Sequence, residues 1–300
     1  NPGLTFNVAE KGSAEQVLTL IEQGDADYAL INSNAYVMHR ALFPDLASGF
    51  TLNRDQGLAW AFDVNDDQSL YLAAQRYLTQ VKADGTTRRL ADRFYGHLDQ
   101  FDLYAARSFI RHLDDRLPNY TADFRQAAES AGFDWRLLAA MAYQESLWDA
   151  QAISPTGVEG LMMLTNRTAR EMGISDRTDP AQSIRAGAGY LRQLHDRIPE
   201  RIQEPDRTWM ALAAYNMGMG HLEDARVLTQ RQGDDPDRWQ DVKTRLTLLD
   251  DPGYVNQLRY GAAPGGQAAV YVRHIRHYYD LLVRADNSER HGQTLLATSE

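Results

Sequence analysis

From residue 103 onward, apolar residues recur three and four positions apart through one stretch after another, and strand-like alternation nearly vanishes. That period belongs to amphipathic helices. A chain patterned this way must bury its apolar stripes against one another, so its larger part is expected to be a helical domain. Helices are predicted at 103–117, 122–131, 135–148, 166–172, 181–197, 207–216 and 268–283. Their ends carry boundary signals. Pro118 follows the first, Thr121 and Gly132 bracket the second, and Asp179-Pro180 offers an N-cap followed by proline at the first helical position. Segment 232–266, rich in Gly, Pro and Asp, is predicted as loop. Residues 285–300, polar and without period, are predicted as a mobile tail.

The first hundred residues read differently. Leu4–Ala9, Tyr28–Ile31 and Leu58–Val64 have strand character. Helices are predicted after Ser13, which has Gln16 in the capping-box position and Gly24 as a stop, and over Ala35–Leu42, Leu70–Val81 and Thr87–Tyr95. Strands alternating with helices predict α/β units. The fold class expected is therefore α+β and multidomain, with an α/β region at 1–100, a mostly helical domain at 101–284 and a polar tail at 285–300. The boundary is placed near Asp99–Asp102, and no internal repeat is visible.

Composition narrows the function classes. The formal charge is −10, from 31 Lys+Arg against 41 Asp+Glu, so binding of nucleic acid by bulk electrostatics is not expected. There is no cysteine, which excludes disulfides and thiolate metal sites. No run approaches the roughly 18–20 apolar residues that span a bilayer. The start, Asn1-Pro2-Gly3-Leu4, lacks the basic and apolar parts of a signal peptide, and the chain is read as a mature or trimmed product. His274 and His277 lie three apart on one helix without a carboxylate partner at matching spacing, so they read as packing or surface residues and no metal is expected. No phosphate loop or nucleotide fingerprint occurs, and no cofactor is expected.

The helix at 135–148 holds the residue of greatest chemical interest. Leu138, Met141, Ala142 and Glu145 fall at i, i+3, i+4 and i+7 and share one face. Glu145 thus extends an apolar stripe close to the helix C-terminus. Apolar surroundings and the negative end of the helix dipole both raise a carboxyl pKa. A raised pKa is what a general acid near neutral pH needs. The residues alone also allow the helix to turn Glu145 to solvent at its last turn. Downstream, Ser154-Pro155-Thr156-Gly157 makes a turn, Gly160-Leu161-Met162-Met163 brings flexible backbone and soft side chains, and Ala213-Ala214-Tyr215-Asn216 ends a helix before Gly218 and Gly220. Tyr271 lies on the last helix.

Taken in order, Glu145-Ser146, Gly160-Leu161-Met162-Met163, Ala214-Tyr215-Asn216 and Tyr271 resemble the lysozyme-like lytic transglycosylases, related in fold to goose-type lysozyme. The resemblance covers about residues 103–283. It implies a lysozyme-like catalytic domain and a substrate in the glycan strands and muropeptides of peptidoglycan. Glu145 is implied as the single acid/base of a reaction that closes a 1,6-anhydro ring without consuming water. Ser146, Ser154, Gly160, Met162, Met163, Tyr215, Asn216 and Tyr271 are implied as substrate-binding or orienting residues. A lysozyme-like hydrolase using the same Glu145, and a silent peptidoglycan-binding module, remain alternatives. Asp149 and Glu159 are the nearby carboxylates; neither is expected to share the site, and Glu159 is read as a surface residue. Many members of the family have Gln where Met163 stands.

Trp239-Gln240-Asp241-Val242-Lys243, Leu248-Leu249, Tyr260-Gly261 and Tyr271-Val272 further resemble a subgroup with an α/β domain ahead of the catalytic one. That added domain is similar to the solute-binding proteins of transport systems. Ala26-Asp27-Tyr28-Ala29 and Asn32-Ser33 carry this likeness, so residues 1–100 are expected to be part of such a regulatory domain. The subgroup implies a periplasmic protein with peripheral association at the outer membrane.

Overall fold

A computed structural model describes residues 7–8, 12–50, 52, 59–63, 67–87, 90–91, 96 and 103–297. The chain divides into two compact units, Asn1–Ser108 and Phe109–Glu300.

In the first unit, α1 (Ala14–Glu22) starts as expected. The Ser13 hydroxyl accepts from the Gln16 amide, and the Gln16 side chain reaches back to the Gly12 amide at 3.2 Å. Helices α2 (Ser33–His39) and α3 (Ser69–Ala83) follow. The expected strands are not seen. Tyr28–Ile31 and the described part of the third, 59–63, are irregular; Leu4–Ala9 lies almost wholly outside the described residues, as does most of the expected helix Thr87–Tyr95. A strand needs a neighbour to satisfy its N–H and C=O groups, and an alternating pattern does not supply one.

The second unit is helical. It begins within α4 (Leu103–Asp115) and continues through α5 (Thr121–Ala131), α6 (Trp135–Ser146), α7 (Asn166–Glu171), α8 (Pro180–Arg197), α9 (Asp206–Met217), α10 (Met219–Arg231), α11 (Trp239–Leu246) and α12 (Gly265–Ala297). Among the described residues the only β pairing is two isolated bridges, Ile153 with Glu159 and Glu159 with Leu164. Helix α6 is the hub. It packs along α12, with α5 and α8 also against it, and α9 lies between α8 and α12. Leu138, Ala139, Ala140, Met141 and Ala142 have no exposed surface. Burying a side chain the size of Leu138 or Met141 contributes about 1.5–3 kcal/mol.

Caps explain the boundaries. Asp134 caps α6, Thr165 caps α7 and Asp179 caps α8, each accepting from an amide of the first turn. Gly132 ends α5 in the left-handed conformation that glycine adopts without a Cβ penalty. Three expectations are corrected. Thr121 does not cap α5 but is its first residue, and its hydroxyl donates back to the Leu117 carbonyl at 3.0 Å. The segment 232–266 holds α11, and the expected tail continues as helix to Ala297. Helix α10 was not foreseen at all. Among the described residues no helix is long and apolar enough to cross a membrane.

Asp134 does more than cap. Its carboxylate accepts from the Arg136 amide at 2.9 Å, the Arg136 guanidinium at 2.7 Å and the Tyr279 hydroxyl at 2.9 Å, tying α6 to α12. Among the described residues Asp179 makes only its cap. Asp134→Ala is therefore expected to lower stability by about 2–3 kcal/mol and Asp179→Ala by about 1 kcal/mol. Urea titrations of the two variants check the order.

Candidate active site

Glu145 occupies the last turn of α6, where the apolar face reaches the edge of the core. The residue is half-buried, and the adjoining Ser146 is buried. Tyr271 comes in from α12, which runs along α6, and its hydroxyl donates to Glu145 Oε1 at 2.5 Å. Burial pushes the Glu145 carboxyl up to about 7, and the Tyr271 hydrogen bond works in the opposite direction by favouring the carboxylate. Burial is also the main cause that lifts the Tyr271 and Tyr215 phenols well above their ordinary range, with the negative field of Glu145 next. Both phenols therefore stay protonated as donors.

The segment after the turn is held against this carboxyl from several sides. Ser146 Oγ donates to the carbonyls of Ala142 and Leu161, each at 3.0 Å, so α6 grips the Gly160 block. The Tyr215 hydroxyl donates to the Met162 carbonyl at 2.9 Å, and the Met162 amide donates to Ser183 Oγ at 3.2 Å. Gly160 has φ +81° and lies so close to the Arg177 carbonyl that a Cβ would sit 1.8 Å from its oxygen. No other residue fits there without moving backbone. The fully buried Met162 side chain packs on Gly187 of α8, where a Cβ would meet it at 2.7 Å.

Of the residues the sequence singles out, Glu145, Tyr271, Tyr215 and the Met162 backbone come together. Ser146 stands behind them with its hydroxyl spent inside the protein. Met163 is half-buried with φ +45°. Asn216 is exposed at the end of α9 and makes no side-chain hydrogen bond among the described residues. Ser154 Oγ accepts from the amides of Thr156 (3.3 Å) and Val158 (3.2 Å) and so closes its own turn.

Glu159 departs from the surface reading. It is only partly exposed and pairs with Arg177 at 2.8 Å. Asp149 is exposed and accepts from the Gln151 amide, as an Asx turn does. Three residues were missed: Ser183, Arg177 and Tyr190. Arg177 donates to the carbonyls of Gly157 and Leu164 as well as to Glu159, and the Tyr190 ring lies 5.3 Å from that of Tyr215. A serine and a tyrosine on the apolar side of the helix at 181–197 were the available signal. Among the described residues no cluster of His, Cys, Asp and Glu is arranged to hold a metal ion.

Residues 123–237 match the transglycosylase SLT domain. The chain is 70% identical over 297 residues to the membrane-bound lytic murein transglycosylase F of Alcanivorax borkumensis, covering 99% of this chain and 64% of that protein. The protein of the same name from Hahella chejuensis is 48% identical over 282 residues, covering 94% of this chain and 55% of its own. The chain thus spans roughly 55–64% of the length of these relatives. Among solved structures, an inactive mutant of the lytic transglycosylase Slt of Pseudomonas aeruginosa is 25% identical, with a TM-score of 0.40, over 55% of this chain and 24% of that one. Glu145 lies on α6, inside the SLT match, and Tyr271 on α12, beyond its end.

The raised carboxyl has a consequence for stability. In the unfolded chain Glu145 titrates near the ordinary 4.5, and in the fold near 7. The folded state therefore holds an extra proton between those values, and stability falls as pH rises through that window. Glu145→Gln removes this cost. The variant is expected to match the wild type below pH 4.5 and to exceed it at pH 8, by at most about 3 kcal/mol. Thermal melts at the two pH values measure the difference.

Proposed function

We propose that this chain is a lytic transglycosylase with Glu145 as its single acid and base. The protonated carboxyl donates to the glycosidic oxygen between N-acetylmuramic acid and N-acetylglucosamine, and the C1–O bond breaks. The C6 hydroxyl of the muramic acid attacks C1 and returns its proton to Glu145. The C1–O6 bond closes a 1,6-anhydro ring, and water is neither consumed nor released. The observation that carries this reading is the isolation of Glu145. Burial raises its pKa, the Tyr271 hydrogen bond opposes that rise, and no carboxylate among the described residues is a cause of the shift. Hydrolysis with two carboxylates needs the pair roughly 5–9.5 Å apart. Here Glu159 is bound to Arg177 and Asp149 closes a turn.

The other residues take supporting roles. Tyr271 orients the carboxyl. Gly160, Met162 and Met163 form the floor under the muramic acid, and Tyr215 holds that floor through the Met162 carbonyl. Asn216 and the Ser154 turn meet the N-acetyl groups. Ser146 acts through Leu161 and does not touch the glycan. The first unit is part of a solute-binding-like regulatory domain, a reading supported by the likeness at Ala26–Ala29 and Asn32-Ser33. The relatives are named membrane-bound murein transglycosylases, which supports a periplasmic protein held at a membrane; we take that membrane to be the outer one.

Mass spectrometry of products from purified peptidoglycan tests the reaction. Wild type is expected to release 1,6-anhydromuramic ends, and Glu145→Gln none. Reducing ends instead would make the chain a hydrolase, and no product from the wild type would leave a binding module. The pH profile tests Tyr271. The acid must be protonated, so the rate falls as pH rises past about 7. Tyr271→Phe removes a bond that favours the carboxylate, so this alkaline limb is expected to move to higher pH while the maximal rate drops. An unmoved limb would rule out the orienting bond.

A further inference from the structure

Helix α10 carries a buried carboxylate that the proposed chemistry does not use. Asp224 is 5% exposed, and its two oxygens accept from the backbone amides of Arg259 and Tyr260, both at 2.9 Å. A buried carboxylate is costly unless hydrogen-bonded. Here it is bonded to the backbone of an irregular segment, and the two side chains it presents, Arg259 and Tyr260, are exposed. The Tyr260 ring packs against Gly220, in the first turn of α10, where a Cβ would come within 2.7 Å of it. The Arg259 guanidinium stands over the same ring, 5.4 Å from its centre. Among the described residues no carboxylate pairs with that guanidinium, in a chain of net charge −10. Asp224, Gly220 and the ring together hold an unpaired cation in one place.

The helix that holds this cation follows directly on the one that carries Tyr215. Gly220 is five residues from Tyr215, whose phenol feels the charge of Glu145, so the Cα atoms of Gly220 and Tyr215 are at most about 18 Å apart. In peptide-bearing glycan the lactyl carboxyl of the muramic acid is taken up in the amide to the stem peptide, so the free carboxylates are on the peptide; in stripped glycan that lactyl carboxylate is free and lies against the sugar. We infer that Arg259, oriented by Tyr260 and the Asp224 clamp, binds a carboxylate of the stem peptide and makes the chain prefer glycan that carries peptide. The inference rests on the glycan-cleaving reading above. A guanidinium recognises a carboxylate through two parallel hydrogen bonds, which an ammonium cannot reproduce.

The test is calorimetric titration of the full chain carrying Glu145→Gln, so that nothing is cleaved, with soluble glycan oligomers bearing or stripped of stem peptides. Adding Arg259→Ala is expected to weaken binding of peptide-bearing oligomers by about tenfold and to leave stripped oligomers unchanged. Arg259→Lys is expected to fall between, which a purely structural role would not produce. An equal loss on both ligands, or no loss on either, overturns the inference. Absence of anhydro products from the wild type would instead overturn the reaction, and the ratio of the two affinities would still decide the role of Arg259.

Discussion

The constraint on which the rest depends is the removal of one carboxyl group from water. Glu145 continues the apolar face of α6 at the helix end, where the backbone carbonyls already make the field negative. Ionisation there is opposed by burial, and the single compensating donor is the Tyr271 hydroxyl. That bond requires α12 to run along α6, and the Asp134–Tyr279 bond pins the same pair of helices elsewhere along their length. The cost of the site is met by the apolar packing of the helix that carries it.

The Gly160 block shows a second level of the same design. A loop that forms the floor of a cleft must hold its shape without being a regular element, because misplacement of a reacting group by about 1 Å costs orders of magnitude in rate. Here its backbone polar groups are taken up by Ser146, Tyr215, Ser183 and Arg177, which come from α6, α9, α8 and the loop between α7 and α8. Gly160 lets the loop approach the Arg177 carbonyl more closely than any side chain permits. Each anchor is a hydroxyl or guanidinium pointing inward, so their sequence signature is a polar residue at a position the period assigns to the core.

That explains which parts were legible. The face of α6 and the ends at Asp179 and Gly132 follow from local rules, and local rules are visible in a single sequence, whereas the Gly160 block stood out only through the family resemblance. Helix α10 was hidden because Asp224 and Arg226 occupy buried positions within it and break the apolar stripe of Leu222, Ala225 and Leu228, while Gly218 and Gly220 read as stops. Those two polar residues are buried for tertiary reasons, one to hold 259–260 and the other to bind Glu223 and Asp237. The expected strands failed in the reverse way: the apolar run at Tyr28–Ile31 is local, whereas a strand exists only with a neighbour. Glu159 misled for a similar reason, since its partner Arg177 is distant in sequence.

The backbone itself records the same demand. Among the described residues three non-glycine positions have left-handed φ, and they flank the catalytic candidate: Leu147 (55°) and Trp148 (57°) directly after α6, and Met163 (45°) at the end of the Gly160 block. Each such residue costs of order 1 kcal/mol and persists only when its surroundings overdetermine it. Trp148 is almost fully buried, its indole N–H donates to the Ala139 carbonyl at 2.8 Å, and its ring packs on Phe109 and Tyr143. The Leu147 carbonyl accepts from Arg116 at 2.9 Å. A glycine at either position would relieve the strain, but without the indole the sharp exit from α6 would have nothing to hold it. The tight reversal ends α6 immediately after Ser146, returns the chain over Leu161 and leaves Glu145 on the last turn instead of inside a longer helix. Strain at the helix end and desolvation at the carboxyl are thus two costs of one geometry, and both are carried by the aromatic packing beneath it.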